Sequence, residues 1–204
     1  MKNKNTIIIV NIVLITVAIA LAIFLVVLKN DNNEVVKNAE NNFNYIVENV
    51  EINIDDNLMT EYVSKDLGFK LKHYNELTRV SETNDADSMY KSAAMFRESG
   101  NEGISILIGN ISKDTTLAGY LNANINTVID TNGLTKDDVV VVKEGVKLGD
   151  LDAFKLRYKM EDINIYQIIA IKDSKEYVIT YSAEDAYYDK QKADNMFSTF
   201  EFLN

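Results

Sequence analysis

Residues 6–28, TIIIVNIVLITVAIALAIFLVVL, restrict this chain more than any other stretch. Seventeen of these positions are Ile, Val, Leu or Phe, and none is charged. A helix of this length is roughly 35 Å long at about 1.5 Å rise per residue, enough to cross a hydrocarbon core of about 30 Å. Each bulky apolar residue favours insertion, and together they outweigh the single amide Asn11. Within lipid a helix also satisfies its own backbone groups, which irregular chain does not. The run therefore predicts a membrane-spanning helix.

Lys2 and Lys4 precede the run, whereas Lys29 is soon followed by Asp31 and Glu34. The positive-inside bias then puts the N-terminus in the cytoplasm and the rest of the chain outside. A cleavable signal peptide is the competing reading, because Ala18-Ile19-Ala20 resembles a cleavage signature. Eight further residues, mostly bulky and apolar, follow it, and the run exceeds an ordinary signal core. An uncleaved signal anchor in the cell membrane is the expectation. With no cysteine in the chain, acylation at a cysteine is excluded.

Beyond the anchor lies enough chain for one domain. With Lys2 and Lys4 inside, 19 basic residues face 31 acidic ones outside, a balance of −12. Such a surface repels nucleic acid and anionic headgroups, so no nucleic-acid partner is expected. Without disulfides the core alone must stabilise the fold, and about 140 residues suffice. The absence of Pro and the eight Gly argue against fibrous or low-complexity character. The abundance of Asn, Ile and Lys suggests a bacterial chain.

Val36, Ala39, Phe43, Ile46, Val47 and Val50 form one narrow helical stripe. This predicts three regions: 1–28, a cytoplasmic stub and anchor; 29–58, a polar linker with an amphipathic spacer helix; and 59–204, the extracytoplasmic domain. Residues 62–65 and 69–72 flank Leu67-Gly68 as a tight hairpin, and residues 78–87 read as loop. Strands follow over 89–97 and 104–111, joined by Ser99-Gly100-Asn101. Residues 114–130 place Leu117, Tyr120, Leu121, Ile125, Val128 and Ile129 on one helical face, with Asp114 as N-cap and Asn132-Gly133 as the stop.

Four strands are then expected, over 139–147, 153–160, 163–171 and 176–182. In the second, Phe154, Leu156, Tyr158 and Met160 alternate with Lys155, Arg157 and Lys159, which predicts one buried and one wet face. Ser182 and Asp185 have near capping-box spacing and open a last helix carrying Ala186, Ala193, Met196, Phe197 and Phe200. Successive strands with short turns pair antiparallel, giving an α+β domain with an antiparallel sheet flanked by helices.

Four local patterns, in order, carry a family resemblance. They are Gly68-Phe69-Lys70-Leu71-Lys72-His73, the run from Leu148 through Gly149 and Phe154 to Tyr158, Tyr177-Val178-Ile179-Thr180-Tyr181-Ser182, and Phe197-Ser198-Thr199-Phe200-Glu201-Phe202. Over residues 62–204 they resemble the PsbP-like family. The resemblance implies an α/β/α sandwich around an antiparallel sheet. The family's Pro and Trp after its first strand are absent, with Tyr74 and Leu77 in that neighbourhood. Plant and cyanobacterial members assist photosystem II, and bacterial ones are often exported and membrane-tethered, so an accessory role is implied.

A catalytic constellation is not found. With His73 alone and no Cys, Cys–His catalysis and multi-His metal sites are impossible. No G-x-S-x-G element accompanies His73, which at the end of a strand is expected to be a surface or capping residue. Glu82, Asn84, Asp85 and Asp87 form one acidic loop, and Asp130, Asn132, Asp137 and Asp138 another; both read as solvated acids with Ca²⁺ binding as the alternative. Tyr177 and Tyr181 share a strand face and are expected in the core, and one of Tyr187 and Tyr188 at the surface. No catalytic, cofactor-binding or metal residue is assigned. The expected function is a membrane-anchored binding or assembly-accessory module with a protein partner and no catalysis. A Ca²⁺- or small-ligand-binding domain is the alternative, and a carboxylate-dependent hydrolase ranks last.

Overall fold

The computed structural model of the chain describes residues 45–48, 50–84 and 90–203. The membrane helix expected over 6–28 and most of the stripe from Val36 lie outside these residues. Among the described residues no helix is long and apolar enough to cross a membrane.

Long alternating strands set the frame. Strands β1 (Tyr45–Ile46), β2 (Met59–Ser64), β3 (Phe69–Tyr74), β4 (Arg79–Thr83), β5 (Tyr90–Phe96) and β6 (Glu102–Asn110) precede helix α1 (Leu117–Asn132). Then come β7 (Val140–Val142), β8 (Lys147–Leu148), β9 (Leu151–Met160), β10 (Ile163–Lys172) and β11 (Lys175–Glu184), helix α2 (Lys190–Ser198) and β12 (Glu201–Phe202). A nine-stranded sheet runs β1-β7-β9-β10-β11-β6-β5-β4, with β8 paired to the start of β9. A second sheet has the order β12-β3-β2. All pairings are antiparallel except β1 with β7.

The β10–β11 hairpin turns on Asp173 and Ser174, both at positive φ (51° and 58°). Two left-handed residues twist the turn the way the flanking strands twist, which fixes the register Lys172 opposite Lys175. Both faces of this sheet are covered. On one, Tyr120, Leu121, Ile125 and Val128 of α1 meet Phe154, Leu156, Ile165 and Ile169. On the other, α2 and the small sheet bring Phe69, Leu71, Met196, Phe197 and Phe200 against Ile104, Ile106, Tyr166, Ile168 and Tyr181. Stacked rings of Phe69 and Phe200, 5.4 Å apart, tie α2's exit to β3.

Several expectations are corrected. Tyr45–Ile46, placed in the spacer helix, is a strand whose partners are Val141 and Val142. Residues 79–83, expected as loop, form edge strand β4, with every side chain exposed. Thr116 caps α1 in place of Asp114, its hydroxyl accepting from the Gly119 amide at 3.1 Å. Gly133 ends α1 in the left-handed conformation, as the Asn132-Gly133 pair predicts. The strand expected over 139–147 is two short strands, because Gly145 at φ 71° turns the chain between them. Ser182 does not open the last helix: it stays in β11, opposite Ile165, and Asp189 caps α2.

Candidate functional site

Alternation along β9 sends Phe154, Leu156 and Tyr158 toward α1, so Lys155 and Arg157 point to the opposite face. That face was expected to be wet, yet α2 covers it and leaves Lys155 8 % exposed. Tyr166 and Ile168 of β10 stand opposite Arg157 and Lys155 in the register. Lys190 and Asp194, one turn apart on α2, close the layer from above. Glu48 reaches in from the extended chain after β1.

These groups form one chain of alternating charge. The Lys155 ammonium lies 2.5 Å from Asp194 Oδ1, and Lys190 Nζ lies 2.8 Å from Asp194 Oδ2. Lys190 also stands 3.0 Å from Glu48 Oε2, while the Arg157 guanidinium holds Glu48 Oε1. The Tyr166 hydroxyl donates to Asp194 at 2.9 Å. Its ring is flanked by Lys155, Arg157 and Lys190, 5.4, 5.9 and 5.6 Å from the centroid. Burial pushes the Asp194 pKa up, but the hydrogen bonds from Lys155 and Lys190 outweigh it and hold the carboxyl below its ordinary value. Burial, with the Asp194 charge beside it, pushes the Tyr166 hydroxyl far above its usual range. Asp194 is an anion here, and Tyr166 a fixed donor.

A cavity of about 350 Å³ opens beside this network. Its walls are Val50, Ile52, Val142, Ile168 and Phe197, and Lys155 and Asp194 lie in its lining. Residues 50–53 form a strap along one side, held by side chains of α2. Asn195 accepts from the Asn53 amide at 3.1 Å and donates to the Asn53 carbonyl at 2.7 Å, and Gln191 donates to the Glu51 carbonyl. An amphipathic hollow with a buried charged floor can take a small organic ligand.

Among the described residues, those weighed from sequence are not brought together. His73 is buried rather than at the surface, with Nδ1 3.1 Å from the Tyr74 carbonyl oxygen. Glu82 accepts from the Tyr62 hydroxyl, whereas Asp85 and Asp87 lie outside the described residues. Asn132 donates to the Val128 carbonyl, and Asp138 closes a capping box with Thr135. Among the described residues no three His, Cys, Asp or Glu side chains are placed to hold a metal ion. Tyr177 and Tyr181 are in the core as expected; Tyr187 is exposed and Tyr188 half-buried, both before α2 rather than on it. The network centred on Asp194 was missed. Its one local signal is the Lys190/Asp194 spacing, because the remaining partners come from three other segments.

No protein-family model matches the chain. No curated protein matches it either. Among solved structures, the solution structure of cyanobacterial PsbP (CyanoP) from Synechocystis sp. PCC 6803 matches with a TM-score of 0.50 and 15 % identity, covering 71 % of this chain and 92 % of that one. A crystal structure from Bacteroides thetaiotaomicron VPI-5482 matches with a TM-score of 0.41 and 15 % identity, covering 72 % and 49 %. The four sequence patterns fall on the β2–β3 turn and β3, on β8 and β9, on β11, and on the end of α2 with β12. At the level of fold, this chain carries a mostly antiparallel, PsbP-like domain.

Proposed function

We propose that this chain is a membrane-anchored, extracytoplasmic binding or assembly-accessory protein that acts through contacts with another protein and not by catalysis. The observation that carries the reading is the distribution of exposed apolar side chains. Val47, Ile52, Ile54 and Leu58 are all exposed, and all lie within twelve residues of one another in the segment joining the N-terminal apolar run to the domain. Scattered exposed apolar residues are ordinary, but this many in one short stretch of sequence suits an apolar contact. The fold shared with cyanobacterial PsbP supports a binding role by analogy.

Fractionation, protease accessibility and site-specific photocross-linking of the full chain in its own cells test this. The expected result is a carbonate-resistant membrane protein whose domain is cut from outside. A cross-linker at Ile54 should give one discrete adduct with another protein, abolished by Leu58→Glu. A soluble chain, a domain protected from external protease, or adducts with lipid alone would overturn it.

A further inference from the structure

The strap has one bonded backbone edge and one open edge. Gln191 donates to the Glu51 carbonyl, and Asn195 accepts from the Asn53 amide and donates to the Asn53 carbonyl. Glu51 and Asn53 therefore turn their backbone groups toward α2. A bonding period of two is that of a β-strand, in which alternate residues offer N–H and C=O to opposite sides. Asp55, which follows, keeps the extended backbone (φ −102°, ψ 102°). Ile52 and Ile54 then present their backbone groups away from α2. Among the described residues these four groups meet no protein partner. The two side chains are 45 % and 39 % exposed, so the edge is open to solvent.

The flank around this edge is charged one way. Between Val50 and Leu58 stand Glu51, Asp55 and Asp56, with no Lys or Arg. Asp56 is paired with Lys72 at 2.6 Å, whereas Glu51 and Asp55 make no ion pair among the described residues. Both are exposed. Exposed carboxylates attract Lys and Arg and repel anionic headgroups, which favours a basic chain over a bilayer surface. A row of unpaired N–H and C=O groups is a template for one more strand. Main-chain bonds then supply affinity, and alternate side chains supply specificity.

We propose that residues 51–54 are a strand-addition site for an extended segment of a partner protein, with alternating apolar residues and Lys or Arg at its ends. The partner's backbone bonds to Ile52 and Ile54, its apolar side chains lie against theirs, and its cations meet Glu51 and Asp55. This rests on the protein-contact reading above and adds how the partner is held and what chemistry it carries.

Calorimetry on the full chain in detergent micelles tests the site with three peptides: acetyl-KVTVTVK-amide, the same peptide N-methylated at every residue, and acetyl-EVTVTVE-amide. Saturable binding of the first is expected, with the other two at least tenfold weaker. At saturation, hydrogen exchange at the Ile52 and Ile54 amides should slow at least tenfold. Ile54→Pro removes one outward N–H and should abolish binding with the melting temperature unchanged. Glu51→Lys, at an exposed side chain, is the second variant and should weaken the basic peptide at least tenfold. No saturable binding of that peptide, an N-methylated or acidic peptide that binds as tightly, or full affinity in a folded Ile54→Pro protein would overturn the proposal. Any of these beside a discrete protein adduct at Ile54 in cells would overturn strand addition alone and leave the protein-contact reading standing.

Discussion

The Tyr120 hydroxyl of α1 donates to the Glu176 carboxylate of β11, a buried contact across 56 residues of chain. Glu176 is 2 % exposed, and no cation offsets its burial among the groups that shift its pKa. Desolvation pushes this carboxyl up to about 8. Between pH 4.5 and about 8, folding therefore takes up a proton at this side chain. The stabilisation is complete below the ordinary carboxylate value of 4.5 and is lost as pH rises through about 8. Glu176→Gln keeps the acceptor and removes the charge. Thermal melts at pH 5 and pH 9 should show the native chain losing several degrees more than the variant over that interval, and equal losses would refute the buried-acid account.

Gly109 faces the same buried carboxyl. A Cβ at this position would meet Tyr90 ring carbons at 2.7 and 2.9 Å, and the Glu176 side chain closer still. None of these groups is at the free end of an exposed chain, so the strand itself must shift. Gly109→Ala should cost about 1–3 kcal/mol in urea unfolding. A neutral result would mean that Tyr90 yields without cost.

Asp194 organises more partners than Lys155 does. Removing one member of a buried pair leaves the other charge unmatched, typically at a cost of about 3–5 kcal/mol. Asp194→Asn strips the counter-charge from Lys155, leaves Lys190 with Glu48 alone and weakens the acceptor for Tyr166. Lys155→Met leaves Lys190 still paired. Denaturant midpoints should rank native, then Lys155→Met, then Asp194→Asn. The reverse order would contradict the central place given to Asp194.

Asn195 holds the strap as another strand would, meeting both backbone groups of Asn53. Asn195→Ala removes both bonds while α2 keeps its apolar face of Ala193, Met196 and Phe197. Hydrogen exchange at the Asn53 amide should accelerate at least tenfold, with amides of β9 to β11 unchanged. Protection lost across the whole sheet would show instead that the strap is part of the cooperative core.

The elements legible from sequence are those whose pattern is local. Strands β9, β10 and β11 announce themselves by ten-residue runs and short turns, and α1 by its apolar stripe and Gly133. Strand β4 was hidden because Arg79-Val80-Ser81-Glu82-Thr83 buries nothing and pairs through its backbone alone. Tyr45–Ile46 was hidden because a two-residue parallel pairing leaves no turn or alternation to read. Lys155 was misread for a different reason. Alternation tells which residues share a face, but not whether a helix 39 residues further on will roof it. The cavity and its charge network therefore emerge only once β1, β9, β10 and α2 are brought together.

The chain enters the domain as the outermost strand of its large sheet. Any pull transmitted through residues before Tyr45 is borne first by two ladder positions on β7, then by Glu48 and the amide contacts of Asn53. Those attachments are few and polar, whereas each ladder between β9, β10 and β11 runs for eight or ten residue pairs. Tension at the N-terminal end would thus unroof the hollow beside Lys155 long before it threatened the sheet, making the cleft the compliant part of a stiff body.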